Sequence, residues 1–235
     1  MWLENKYRCI FFDLDRTLWD FESNATETLH ELYVKYNLHR LTDDPQKFID
    51  TYSANNRRLW AEYTAGNLKK DRLRQLRFYL TLKQLGFDNR DLGKQMDIDY
   101  ITICPQKTML FPHTKEILDY LSAKKYKLYI VTNGFSEVQS LKLKNSGING
   151  YFEAVFTSEE AGYQKPDTRI FQYALSKAKV SPKNCMMIGD DWESDICGAK
   201  NAGIPHIFFN PHKLAHEGKP TYEIASLDEI KQILY

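Results

Sequence analysis

The chain has 235 residues, 43% of them apolar and 27% charged, which is enough for a complete globular core plus an insertion. Its 32 Lys and Arg against 31 Asp and Glu leave a formal net charge of +1, so no global field recruits a nucleic-acid polymer or an anionic membrane. Residues 1–8 carry charges where a leader needs an apolar core, and no stretch reaches transmembrane length; a cytoplasmic location is the expectation. Cys9, Cys104, Cys185 and Cys197 lie far apart with no C-x-x-C pair, which predicts reduced thiols and argues against a disulfide or zinc framework.

The first element is a short apolar run, Cys9-Ile10-Phe11-Phe12, that ends in Asp13-Leu14-Asp15-Arg16-Thr17. Such a run predicts a buried parallel strand. It places two carboxylates at the carboxyl edge of a sheet, where open α/β sheets bind ligands. Two close carboxylates coexist ionised only beside a cation, or else one of them holds a proton. Both conditions suit phosphoryl transfer, because a hard divalent cation prefers carboxylate and carbonyl oxygens and bridges to phosphate. Taken alone, the pattern equally describes a strand ending in solvated acids.

From about Asp20 to Cys104 the β-branched runs disappear and helical periodicity takes over, as at Ala25, Leu29, Leu32, Tyr33 and Tyr36. Four helices are predicted, over 24–37, 45–65, 69–86 and 91–104. Because the insertion starts just after the first strand, it is expected to rise from the edge carrying the acids and to act as a lid.

Four further apolar runs follow: Leu128-Tyr129-Ile130-Val131, Ala154-Val155-Phe156, Cys185-Met186-Met187-Ile188 and His206-Ile207-Phe208-Phe209. Segments of helical period separate them, which predicts a parallel sheet covered on both faces. Ser136 with Gln139 and Ser226 with Glu229 have capping-box spacing, Pro166 suits a first helical turn, and Gly147 and Gly203 can stop helices. His212 and His216 have helical i, i+4 spacing but no third ligand, and are read as surface residues.

Parallel strands would bring Thr132, Asn133, Gly134, Asp190 and Asp191 near Asp13 and Asp15. Thr132 offers a hydroxyl, and Asn133 and Gly134 offer an amide and a backbone N–H for phosphate oxygens. Gly189-Asp190-Asp191 followed by Asp195 provides acids for a cation, and Lys165 an ammonium that neutralises phosphate or carboxylate. Each has a plain structural alternative: a turn, an acid-rich helix start, a solvated lysine. Their joint order after successive strands is what distinguishes them.

Together these motifs resemble those of the haloacid dehalogenase-like hydrolase superfamily: Asp13-Leu14-Asp15-Arg16-Thr17, then Thr132, then Lys165, then Gly189-Asp190-Asp191-Trp192-Glu193-Ser194-Asp195. The resemblance implies an α/β fold, a Rossmann-like parallel core over residues 1–18 and 106–235, with a helical-bundle C1 cap over 19–105. It implies that Asp13 attacks phosphorus to form an aspartyl-phosphate while Asp15 serves as acid and then base. It further implies Mg²⁺ held by Asp13, Asp15 through its carbonyl, and Asp190, with phosphoryl binding by Thr132 and Lys165; the residue types themselves add Asn133 as a substrate-binding candidate. Asp195 and Asp191 would lie in the outer shell. Asp15 argues against dehalogenation, since halide leaves unprotonated whereas an alkoxide benefits from a positioned acid.

The continuation Leu18-Trp19-Asp20-Phe21-Glu22 is similar to the pyrimidine 5'-nucleotidase branch. Trp19 and Phe21 would either stack on a base or seal the junction between core and insertion. The expected partner is therefore a small-molecule phosphate ester, with neither a nucleic-acid polymer nor a membrane as partner, and with monomer and homodimer both open. Phosphatase action on a sugar phosphate or phosphoglycolate, phosphotransfer to another acceptor, and a non-catalytic phosphate sensor remain alternatives.

Overall fold

A computed structural model describes residues 7–235; residues 1–6, and with them most of the charged N-terminal segment weighed above, lie outside the described residues. The chain divides into two compact units, one running through Phe21 and resuming over Thr108–Tyr235, the other formed by Glu22–Lys107.

The first unit is built on β1 (Cys9–Phe12), β2 (Lys127–Thr132), β3 (Phe152–Thr157), β4 (Cys185–Gly189), β5 (His206–Phe209) and β6 (Tyr222–Ile224). All pair in parallel in the order β3-β2-β1-β4-β5-β6. Apolar side chains on both faces make these strands continuous hydrophobic runs. Cys9, Phe11, Tyr129, Val131, Cys185 and Met187 point to one face and pack with Ile170, Phe171, Ala174 and Leu175. Ile10, Phe12, Ile130, Met186 and Ile188 alternate to the other face and are equally buried. The five apolar runs read from the sequence are strands β1 to β5. β6 is an addition: three residues long, with Tyr222 and Glu223 exposed, it has too little apolar signal to be read.

Helices connect the strands. α1 (Phe21–Lys35), α2 (Pro45–Thr64), α3 (Lys70–Gln84) and α4 (Arg90–Ile103) lie between β1 and β2 in sequence, followed by α5 (Thr114–Ala123). α6 (Ser136–Asn145) follows β2, α7 (Ser158–Ala161) and α8 (Thr168–Ala178) follow β3, and a π-helical segment, Trp192–Cys197, leads from β4 into α9 (Gly198–Asn201). α10 (Ile230–Ile233) comes after β6. The predicted box at Ser226 and Glu229 is present. The one at Ser136 is not: Phe135 occupies the cap position, Ser136 Oγ lies 2.7 Å from Thr157 Oγ1, and Gln139 turns toward Asp15. Pro166 precedes α8, whose cap is Asp167. Gly147 and Gly203, with φ of +68° and +74°, end helical stretches.

No helix among the described residues is long and apolar enough to cross a membrane. All four cysteines are free; Cys9, Cys104 and Cys185 are buried, and Cys197 is half-buried.

In the helical unit, α3 and α4 approach backbone to backbone: a Cβ on Gly93 would come within 2.8 Å of the Tyr79 nitrogen. Beside this crossing, Arg77 is buried with its Nε 2.6 Å from Asp97 Oδ1, while Arg74 Nε reaches Asp97 Oδ2 at 3.1 Å. The Arg77 guanidinium also lies 4.7 Å from the Tyr100 ring. Removing one member strands a charge in a dry interior, which costs several kcal/mol. Asp97→Ala is therefore expected to lower the stability of the helical unit by about 3 kcal/mol in urea denaturation. A loss below about 1 kcal/mol, the scale of exposed pairs, would mean that Asp97 does not balance Arg77.

Candidate active site

The strand order reverses between β1 and β4, and the crevice beyond their carboxyl ends is where open α/β sheets bind ligands. Asp13 follows β1 and Asp190 follows β4, so the two acids flank this point. Thr132, at the end of β2, is the next residue along the same edge.

Lys165 enters from the segment between α7 and α8. Its ammonium is buried and donates to Asp13 Oδ1 at 2.6 Å, Asp195 Oδ1 at 2.6 Å and the Val131 carbonyl at 2.9 Å. All three of its protons are thus used by the protein. Asn133 fixes the Lys165 backbone at both ends, accepting from its N–H at 2.8 Å and donating to its carbonyl at 2.9 Å. The Asn133 amide, expected to face phosphate, instead holds the residue that supplies the charge.

Asp195 uses both oxygens, one on Lys165 and the other accepting from Asp191 N at 3.1 Å. A Cβ on Gly189 would lie 2.3 Å from Asp195 Oδ2, so only glycine leaves room for that carboxylate. The Thr17 hydroxyl lies 3.2 Å from Asp190 Oδ1 and 3.5 Å from Asp13 Oδ2. Asp191 is turned outward and caps the π-helical segment through Ser194 N at 2.7 Å.

Asp13 and Asp195 share the Lys165 ammonium, while the Arg16 charge opposes the upward pull that the neighbouring acids exert on Asp190. Burial raises the Asp13 carboxyl above its ordinary range, against the opposing pull of Lys165. It likewise raises Asp190, reinforced by Asp13 and Asp195. Asp195 is pushed up to about 7, again by burial foremost. Lys165 is held in its charged form by Asp13 and Asp195 despite its burial.

Each of the three acids offers an oxygen, and these oxygens lie within 4.8 Å of one another. A cluster of hard oxygen donors short of positive charge fits a divalent cation. Since both Asp195 oxygens are already engaged, Asp13 and Asp190 are the side chains best disposed to hold it.

Thr132 Oγ1 accepts from Gly134 N at 3.0 Å and from Gln139 Nε2 at 2.8 Å. With both lone pairs used, the hydroxyl has its proton to donate toward an incoming oxygen. The Gly134 N–H, expected to face phosphate, is directed to Thr132.

The Asp15 carboxylate has partners of its own. Gln139 Nε2 donates to its Oδ2 at 2.8 Å, and the Lys142 ammonium pairs with its Oδ1. Sequence reasoning missed both partners as site residues. Their only signal is spacing: Gln139, Lys142, Leu143 and Ser146 share one helical face, and all are buried.

Trp19 is fully buried, with the Lys142 ammonium 4.2 Å from its ring centroid and Phe21 6.3 Å away. This overturns the base-stacking alternative for Trp19. The surface reading of His216 is corrected as well: its ring stacks on Trp192 at 4.0 Å and meets Phe208 edge-on at 5.1 Å. No helix forms around His212 and His216.

Comparison with known proteins agrees with this geometry. The haloacid dehalogenase-like hydrolase family matches residues 7–203. The chain is 33% identical to the pyrimidine 5'-nucleotidase YjjG of Escherichia coli over 97% of its own length and 98% of that protein. It is 32% identical to the pyrimidine 5'-nucleotidase PynA of Streptococcus pneumoniae, over 97% and 95%. The crystal structure of the HAD-hydrolase YfnB of Bacillus subtilis, bound to magnesium, superposes with a TM-score of 0.88 at 30% identity, covering 97% of this chain and 99% of that one. A cluster of aspartates at the carboxyl edge of a parallel sheet thus coincides with near full-length similarity, and the chain belongs to the haloacid dehalogenase-like hydrolase family.

Proposed function

We propose that the protein is a Mg²⁺-dependent phosphomonoesterase acting on nucleoside 5'-monophosphates, pyrimidine nucleotides foremost. The observation that carries the reaction is the Asp13 carboxylate held between an ammonium and two further acids, with a separately held acid two residues on. Support for the substrate comes from the full-length likeness to two pyrimidine 5'-nucleotidases and from the run Leu18-Trp19-Asp20-Phe21-Glu22.

In this reading Lys165 fixes one Asp13 oxygen and leaves the other to attack phosphorus. The ester oxygen departs with its bonding electron pair and takes a proton that Asp15 has first taken up from solvent, leaving an aspartyl-phosphate. Asp15, now ionised, removes a proton from water; the resulting oxygen attacks phosphorus, and the Asp13–phosphorus bond breaks to return the carboxylate and release phosphate. Thr132 donates its proton to a non-bridging oxygen throughout, and Lys165 balances charge at the nucleophile. Asp13, Asp190 and the Asp15 carbonyl would hold the cation, which supplies charge neutralisation at the phosphoryl oxygens. Asp195 and Asp191 act behind these, Asp195 by fixing Lys165.

A panel of CMP, UMP, dUMP, AMP, GMP, a hexose 6-phosphate and phosphoglycolate, assayed for phosphate release in Mg²⁺, tests the substrate. Pyrimidine monophosphates are expected to exceed the others in kcat/KM by about tenfold or more, the scale that pocket contacts supply. A hexose phosphate or phosphoglycolate as the best substrate would refute the nucleotidase assignment and leave the phosphatase. Tight nucleotide binding without turnover would favour a sensor.

A further inference from the structure

The Asp15 carboxylate has two partners that the phosphatase reading does not require. Lys142 and Gln139 reach it from one face of α6, the ammonium pairing with Oδ1 and the amide donating to Oδ2 at 2.8 Å. Both arriving side chains are themselves fixed. Lys142 is 4% exposed and covered by Trp19 and Phe21, its ammonium 4.2 Å and 5.5 Å from their ring centroids. Gln139 is fully buried, and its amide nitrogen is shared with Thr132 Oγ1 at 2.8 Å. A Cβ on Gly134 would come within 1.8 Å of that nitrogen, so the glycine keeps open the space Gln139 occupies.

A buried lysine without a charged partner is costly, and here Asp15 supplies that partner. The aromatic rings compensate further, since a cation over an aromatic face is stabilised when desolvated. The arrangement therefore grips one carboxylate at both oxygens, which fixes its torsion as well as its position. A proton-transfer group depends on such aim, because misplacement by about an ångström costs orders of magnitude in rate. The run containing Trp19 and Phe21 thereby acquires a physical role, since its rings roof the lysine that aims Asp15.

We infer that Lys142 and Gln139 are positioning residues for the acid–base carboxylate of Asp15, with Trp19 and Phe21 holding Lys142 in place. The inference rests on the phosphomonoesterase reading and assigns to α6 control over one event in it, proton delivery to the departing oxygen. That event matters in proportion to the basicity of the leaving group. An alkoxide needs the proton, whereas a nitrophenolate leaves without it.

The test is a pair of esters in each protein sample: an alkyl monophosphate such as a nucleoside 5'-monophosphate, and 4-nitrophenyl phosphate. The ratio of their kcat/KM values, alkyl over aryl, is independent of the fraction of correctly folded enzyme. This keeps the measurement meaningful if Lys142→Met folds poorly. In Lys142→Met and Gln139→Leu the ratio is expected to fall by about tenfold or more, a fraction of the 10²–10⁴ that general acid catalysis contributes. Lys142→Arg, which restores the cation, is expected to return it to within about threefold of wild type. In Asp15→Asn the ratio falls further, and adding Lys142→Met to that variant leaves it unchanged, because the lysine acts through Asp15.

An equal loss on both esters in Lys142→Met, or a further fall of the ratio in the Asp15→Asn background, would overturn the inference and leave the phosphatase standing. A wild-type protein inert on both esters would overturn the phosphatase reading and this inference with it.

Discussion

Asp13→Asn is expected to abolish phosphate release, lowering kcat by on the order of 10⁴-fold or more, the scale on which loss of a covalent nucleophile is felt. The substitution keeps the shape of the side chain. It removes one of three clustered carboxylates, which relieves repulsion, and weakens the bond that Lys165 makes at 2.6 Å, which opposes that relief. Fold and chemistry therefore separate: thermal denaturation is expected to remain close to wild type while turnover disappears. Acid quenching of the wild-type protein during turnover, with phosphate labelled at phosphorus, is expected to trap label on Asp13, and Asp13→Asn to trap none. Undiminished turnover in Asp13→Asn would sink the covalent mechanism.

The second large effect concerns Lys165, whose three contacts make it both structural and chemical. Lys165→Met keeps the length of the side chain and deletes the charge, leaving Asp13 and Asp195 buried without their ammonium. Breaking a buried ion pair from one side costs about 3–5 kcal/mol. Urea denaturation is expected to show a loss of that order, accompanied by a fall in kcat of about 10³-fold, in line with removal of a preorganised charge from a dry site. If charge balance is the cause, Lys165→Met combined with Asp195→Asn recovers part of the stability, because the second change removes an acid left unpaired by the first. A double variant as unstable as the sum of the two single changes would show that packing, and not charge, is what Lys165 supplies.

The strands and the acids were the legible part of this chain. β1 to β5 are continuous apolar runs, and a parallel sheet necessarily brings their carboxyl ends to one edge. The helices of the insertion were legible too: Pro45–Thr64 begins at a proline after a capping Asp44 and carries a clear apolar stripe. What escaped was the wiring behind the acids. Gln139 and Lys142 are ordinary polar helix residues in any local window, and only the tertiary fold shows that their face is buried against Asp15. Asn133 and Gly134 were legible as residues of the site but not as to direction, since a turn after a strand allows several orientations for its amides. Trp19 and Phe21 stood out as aromatics, while the lysine beneath them lies more than a hundred residues away in sequence.

Asn133 and Gly134 carry one more implication, for the durability of the protein. An asparagine followed by glycine is a thermolabile pair, because the glycine nitrogen can attack the asparagine amide carbon, close a succinimide and expel ammonia. Here both ends of the Asn133 amide are engaged by the Lys165 backbone, and the Gly134 nitrogen donates its proton to Thr132. The ring closure needs the amide to rotate and that nitrogen to be released, so the folded protein shields a site that its own unfolded chain would lose. Conversion to aspartate would set a carboxylate oxygen against the Lys165 carbonyl and push apart the two segments that Asn133 joins. The contact that aims Lys165 thus also governs how long the protein can age before its chemistry fails.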